Sequence, residues 1–142
     1  MMMTIRRLDL ADAGVLLAGA RAHAARIGVP MCIAITDEAG HLLAFERMDG
    51  GKLTSVTIAI DKAFTAAGAR RATHEYGALS QPGQPVWGIV SAIGGRFMTV
   101  GGGLPVSVDG AVVGGIGVSS GTPEQDRAVA QAGIDAWLAH LG

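Results

Sequence analysis

Two hydrophobic periods divide this chain. From Asp9 to Arg26, Leu16, Ala20, His23 and Ile27 recur at spacings of four, three and four, which predicts a first helix with one apolar face. Asp9 or Asp12 caps its start, and Ile27-Gly28-Val29-Pro30 ends it. Met31 to Asp37 and His41 to Arg47 are short apolar runs joined by Glu38-Ala39-Gly40, a hairpin pattern. Thr54 or Ser55 opens a second helix reaching about Arg71, with Val56, Ala59, Ile60, Ala63, Phe64 and Ala67 as its stripe. Thr73 to Gly77 is a further short helical start, and the proline-bearing loop around Ser80 to Pro85 follows. Phe97 to Val100 reads as a short strand. Leu104 to Val108 and Ala111 to Val118 flank Asp109-Gly110, a two-residue turn signal, and predict a second hairpin. Thr122-Pro123-Glu124-Gln125 is a capping box with proline at the first helical position. It starts a closing helix, Pro123 to Leu141, that buries Val129, Gly133, Ala136, Trp137 and Leu141 and turns Asp126 and Arg127 to water. Strands arranged in hairpins predict one α+β domain over residues 1–142, with a five-stranded, mainly antiparallel sheet flanked by helices.

Glycine interrupts that pattern where it is most apolar. Gly114, Gly115 and Gly117 lie inside the last strand, which weakens it and marks a place where a helix or a ligand comes close. Next to them, Ser119, Ser120 and the helix start at Thr122 offer hydroxyls and free N–H groups to an anion, or serve simple strand-to-helix packing.

Composition narrows the function classes. Hydrophobic residues make up 49% and charged residues 16% of the 142, with a net charge of -1, so neither disorder nor a basic nucleic-acid-binding face is expected. So few charges leave apolar surface to be covered between subunits, and a homo-oligomer is expected. Cys32, the single cysteine, sits in a buried-strand pattern and reads as a core residue. No apolar run is long enough to span a membrane and the N-terminal stretch has no signal core, so a cytoplasmic protein is expected.

Familiar catalytic devices are missing. The chain has no P-loop, no HExxH pair and no CxxC, and His23, His41, His74 and His140 are too scattered to define a metal site by spacing. His41 reads as an exposed hairpin residue, and His140 suits the C-terminal end of a helix dipole. His23 falls on the apolar face of the first helix, as a core histidine or as an imidazole of the kind that binds haem iron. His74, Tyr76, Trp87 and Arg96 gather in the least regular segment, where function tends to lie. Lys62 and Asp61 lie off the stripe of their helix and read as solvated, unless that helix edges a pocket.

Several words of the sequence carry a resemblance. Asp37-Glu38-Ala39-Gly40, Phe45-Glu46-Arg47-Met48-Asp49-Gly50, Lys62-Ala63-Phe64-Thr65-Ala66, Gly101-Gly102-Gly103-Leu104-Pro105 and Val113 to Thr122 followed by Gln125-Asp126 occur here in order. Together they resemble the haem-binding HbpS / GlcG family, which includes the C-terminal domain of PduO-type cobalamin adenosyltransferases. The resemblance implies a profilin-like fold, assembly from dimers up to octamers, haem binding and, for some members, flavin. It places His23 in the helix whose histidine is thought to ligate haem. Around it, His74 or Met98 is a second ligand, Lys62 or Arg96 meets the propionates, and Gly101, Gly102, Gly103, Ser119 and Ser120 line the cofactor. The expected function is that of a haem- or small-cofactor-binding accessory protein linked to glycolate or aromatic catabolism. The rival is an enzyme acting on a small carboxylate held by the glycine-rich hairpin and the helix start at Thr122.

Overall fold

A computed structural model describes residues 1–142. Helix α1 (Leu10–Ile27) starts in a capping box: Asp9 accepts from the Asp12 N–H while Asp12 accepts from the Asp9 N–H, and Gly28 closes the helix in the left-handed region. Strands β1 (Cys32–Asp37) and β2 (Leu42–Arg47) follow, then α2 (Ser55–Ala69) and α3 (Thr73–Leu79). A single irregular helical turn, α4 (Ala92–Gly95), precedes β3 (Gly103–Val108), β4 (Ala111–Ser119) and α5 (Pro123–Leu141). The Asp109-Gly110 turn has φ of 51° and 77° at its two residues, as its sequence requires.

The sheet has four strands in the order β2-β1-β4-β3, every neighbour antiparallel. This corrects the expectation of five. Phe97 to Val100 forms no strand, because its polar groups are spent on helices: the Met98 N–H donates to Thr65 Oγ1 and the Val100 carbonyl accepts from Thr73 Oγ1. Pro105 is tolerated because β3 is an edge strand.

Three layers result. Helices α1 and α5 cover one face of the sheet and enclose the main core of Leu16, Ile33, Ile35, Ile116, Val118 and Val129 with Trp137. They touch at backbone distance, since Gly19 faces Ala132 and Gly133 of α5. Helix α2 covers the other face, where the core is thin and built of Cys32, Ala34, Ala59 and Ala63. Glycine explains the asymmetry. A Cβ on Gly115 would stand 2.5 Å from the Ala63 carbonyl oxygen, and one on Gly117 would stand 2.5 Å from the Ala63 nitrogen. Strand and helix therefore meet backbone to backbone, and only small side chains fit between them. What comes close to Gly115 and Gly117 is helix α2, and Gly114 is closed off by the Leu8 side chain and the Thr36 carbonyl, so these glycines form no ligand wall.

That approach also shifts the buried face of α2. Ser55, Ala59, Lys62, Ala63, Ala66 and Ala67 are buried, whereas Val56, Ile60 and Phe64 are half-buried at the edge. Lys62, expected in solvent, sits at the centre. On α1 the buried stripe is Ala13, Leu16, Leu17, Ala20 and Ala24, which leaves His23 half-buried at its border and Ile27 exposed. On α5, Asp126 is buried with Val129, Ala130, Gly133, Ile134 and Trp137, while Leu141 is exposed, both contrary to expectation.

From His74 to Val100 no residue is buried. Trp87 is 67% exposed, with Val90 and Ile93 exposed beside it in sequence. Ile93 holds φ 55°, a costly conformation for a β-branched side chain.

Candidate functional site

The centre of the buried polar chemistry is an ion pair. Lys62 Nζ donates to Asp126 Oδ2 at 2.9 Å and to the Val118 carbonyl oxygen at 2.8 Å, with the two side chains 1% and 3% exposed. Asp126 Oδ1 also accepts from the Gly121 N–H at 2.9 Å. Burial pushes the Lys62 ammonium below its ordinary value and the Asp126 carboxyl above its own, and the charge of each partner opposes the shift of the other. The pair ties α2, the end of β4 and the start of α5 together. Gly102 makes room for it: at φ 126°, a Cβ there would stand 2.8 Å from both Lys62 Nζ and the Asp126 Cβ.

The helix start at Thr122, which the sequence offers either as an anion site or as simple strand-to-helix packing, is occupied by the protein's own acceptors. Gly121 N–H donates to Asp126, Thr122 N–H to Gln125 Oε1, and Gln125 N–H to Thr122 Oγ1. Asp126 thus stands where an external anion would have to bind, which leaves strand-to-helix packing as the role of this segment. The serines are engaged as well: Ser119 Oγ donates to Ser55 Oγ at 3.1 Å, and Ser120 Oγ accepts from the Lys52 N–H at 2.8 Å. Gly103 N–H donates to Thr73 Oγ1 at 2.9 Å. Lys62, Gly101, Gly102, Gly103 and Ser119 are thus interior residues. A propionate could reach Lys62 only by displacing Asp126.

The remaining candidates lie nearer the surface. His23 Nδ1 is 3.0 Å from Arg26 Nη2 on the same helix. Arg96 donates to Asp61 Oδ1 at 2.9 Å, and its guanidinium lies 3.8 Å from the centre of the Phe64 ring. Met98 is half-buried against α2 through its N–H bond to Thr65. Phe97 meets Tyr76 edge to face at 4.8 Å. His74 touches Gly101, whose added Cβ would stand 3.3 Å from the His74 Cβ. Its Nδ1 is buried without a hydrogen-bond partner. Burial first, and the Arg127 charge second, hold its imidazole below the ordinary 6.5. The structure therefore gathers Lys62, Ser119, Gly101, Gly102 and Gly103 into one buried knot, with His74 at its outer edge.

Sequence reasoning missed Asp126 and Arg127 as functional candidates. The signal for Asp126 was its spacing, since Asp126, Val129, Gly133 and Trp137 follow one another at three, four and four on the buried face.

The model of a family described as haem degrading protein HbpS-like matches residues 8–135. An uncharacterized 15.0 kDa protein from the dhaT-dhaS intergenic region of Citrobacter freundii is 39% identical over 131 residues, covering 92% of each chain. The crystal structure of Klebsiella pneumoniae protein ORFY superimposes with a TM-score of 0.95 at 34% identity, over 97% of this chain and 95% of that one. A crystal structure of a PduOC:heme complex superimposes with a TM-score of 0.88 at 36% identity, over 92% of this chain and 94% of that one.

Proposed function

Because the chain belongs to the HbpS-like family, whose model covers residues 8–135, we propose that it is a haem-binding accessory protein with the His23 imidazole as iron ligand. The observation that carries this reading is the likeness to the PduOC:heme complex, 36% identical over 92% of this chain. Of the two cofactors the sequence raises, haem is the one a relative is crystallised with, and flavin has no such support.

The donor set suits the group. A half-buried imidazole on a helix border presents a nitrogen to iron without unfolding anything, and Nδ1 near Arg26 leaves Nε2 as the ligating atom. Arg96, part-exposed beside Phe64, lies on the α2 side of the sheet, opposite α1, so it can meet a propionate of haem held at His23 only from another copy, and Lys62 is enclosed. Haem held in this way supplies an iron centre; the chain's own task is to bind it, orient it and exclude water. Trp87, Val90 and Ile93 are exposed and offer apolar surface to a second copy. The working form is therefore a homo-oligomer.

Hemin titration tests the assignment. Wild-type protein should give a shifted Soret band at a fixed stoichiometry, and His23→Ala should move the band and weaken binding. A variant matching wild type in band position and affinity removes His23 as ligand, and a wild-type protein giving no shifted band removes haem. Sedimentation of Trp87→Asp tests the assembly, with dissociation expected.

A further inference from the structure

Two grooves meet at His74 and Arg127. The larger, about 540 Å³, runs from the end of α2 across α3 and the start of β3 to α5, past Arg70, Arg71, Glu75 and Gln131. The smaller, about 260 Å³, continues along Thr99 to Gly101 and the Pro123 and Glu124 turn of α5. Charge along this path is unbalanced. Arg71 is neutralised by Glu75, whose Oε2 accepts from Arg71 Nε at 2.6 Å, but Arg70 and Arg127 form no ion pair.

The placement of these side chains is not what stability alone would select. Arg70 occupies a left-handed position, φ 57°, where glycine fits without strain. Its positive charge at the end of α2 is favourable for the dipole of that helix, but Arg127 lies near the start of α5, where the helix already presents positive charge. Arg127 also disfavours a proton on His74, whose buried Nδ1 has no partner. An anion in the groove would offset the charge of both arginines and, with it, the charge that disfavours a proton on His74.

We propose that this junction binds the oxyanion group, carboxylate or phosphate, of a small organic molecule, with Arg70 and Arg127 as its charged clamp and His74 as a hydrogen-bonding partner. Guanidinium groups suit both oxyanions because their N–H pairs match two oxygens at once. The groove volume, against about 30 Å³ for a single water, leaves room for an organic body beyond the anionic head. The site is separate from His23 and does not rest on the haem reading.

Calorimetric titration in low chloride, with succinate, citrate, glycerol 3-phosphate and inorganic phosphate as probes, tests it. At least one organic anion should bind more tightly than inorganic phosphate. Its affinity should fall about tenfold in Arg127→Gln and in Arg70→Gln, as loss of a charge-assisted hydrogen bond implies, and stay unchanged in the control Arg6→Gln. Preference for the acids or for the phosphate ester identifies the source of the oxyanion. Titration of the His74 ring by NMR should show its proton affinity raised when that anion is present. Hemin affinity should be the same in wild type and Arg127→Gln. The proposal is overturned if no organic anion outbinds inorganic phosphate, or if affinity changes less than about threefold in Arg127→Gln, a difference of under 1 kcal/mol. It is also overturned if the arginine variants lose hemin and no free anion, which would assign these arginines to the carboxylates of haem.

Discussion

Replacing Lys62 by methionine isolates the role of the buried pair. The methionine keeps most of the aliphatic stem that passes Gly102 and Gly117, so packing changes little. What is lost is the ammonium, leaving Asp126 with a 3% exposed side chain and only the Gly121 N–H at 2.9 Å as a remaining donor. The Val118 carbonyl oxygen loses its 2.8 Å contact at the same time. Breaking a buried pair from one side costs about 3–5 kcal/mol, because the survivor is an uncompensated charge. For a domain of this size that corresponds to a fall in Tm of about 10 °C or more. Asp126→Asn should cost a similar amount by stranding the ammonium instead. The double variant strands neither charge, so its cost should be smaller than the sum of the single costs by at least about 2 kcal/mol. Urea unfolding of the four proteins gives the coupling directly. Additivity within about 0.5 kcal/mol, or a single Lys62→Met cost below about 1 kcal/mol, would refute the reading of this pair as the pin that holds α2 to α5.

Further outcomes follow from individual contacts. Gly117→Ala should unfold the protein or detach α2, because the new methyl group collides with the backbone of Ala59 and Ala63; Gly14→Ala, on the exposed side of α1 with open space around it, should raise stability by about 0.5–1 kcal/mol, both read by thermal melts followed by circular dichroism. Asp12 is held below the ordinary 3.8 chiefly by the Trp137 indole N–H, donated at 3.0 Å. A depressed carboxyl contributes stability that is present above 3.8 and lost as pH falls through its lower folded value, so Asp12→Asn should weaken the protein at neutral pH and flatten its acid limb in urea titrations below pH 3.8. Arg127→Gln, by removing the neighbouring charge that disfavours protonation, should raise the His74 titration toward 6.5 in an NMR pH series without bound ligand; no change would mean that burial alone sets it.

Local rules carried most of the fold. Caps, hairpins and helix limits could be read because each depends on a few adjacent residues, such as Asp9 with Asp12, Asp109 with Gly110, and Thr122 with Gln125. The fifth strand failed for a nonlocal reason. Phe97 to Val100 has strand-forming composition, but its N–H and carbonyl groups meet Thr65 and Thr73, and nothing in the segment itself announces hydroxyls arriving from α2 and α3.

The site was less legible because the largest apolar side chains mark the wrong face of α2. Val56, Ile60 and Phe64 look like a core stripe, yet the glycines of β4 draw the helix so close that bulk is pushed to the edge and alanine takes the centre. Read through its small residues, the same helix gives Ser55, Ala59, Lys62 and Ala66 at spacings of four, three and four, with a lysine in the middle. An opposite charge on the buried spacing of α5 completes the inference, since a buried lysine needs a buried acid and Asp126 is the one acid on that face. Once the two are joined, the glycine-rich stretch acquires a single physical purpose. It admits α2 and its ammonium to the sheet, and it places Gly101 against His74 where the interior ends and the arginine-lined groove begins.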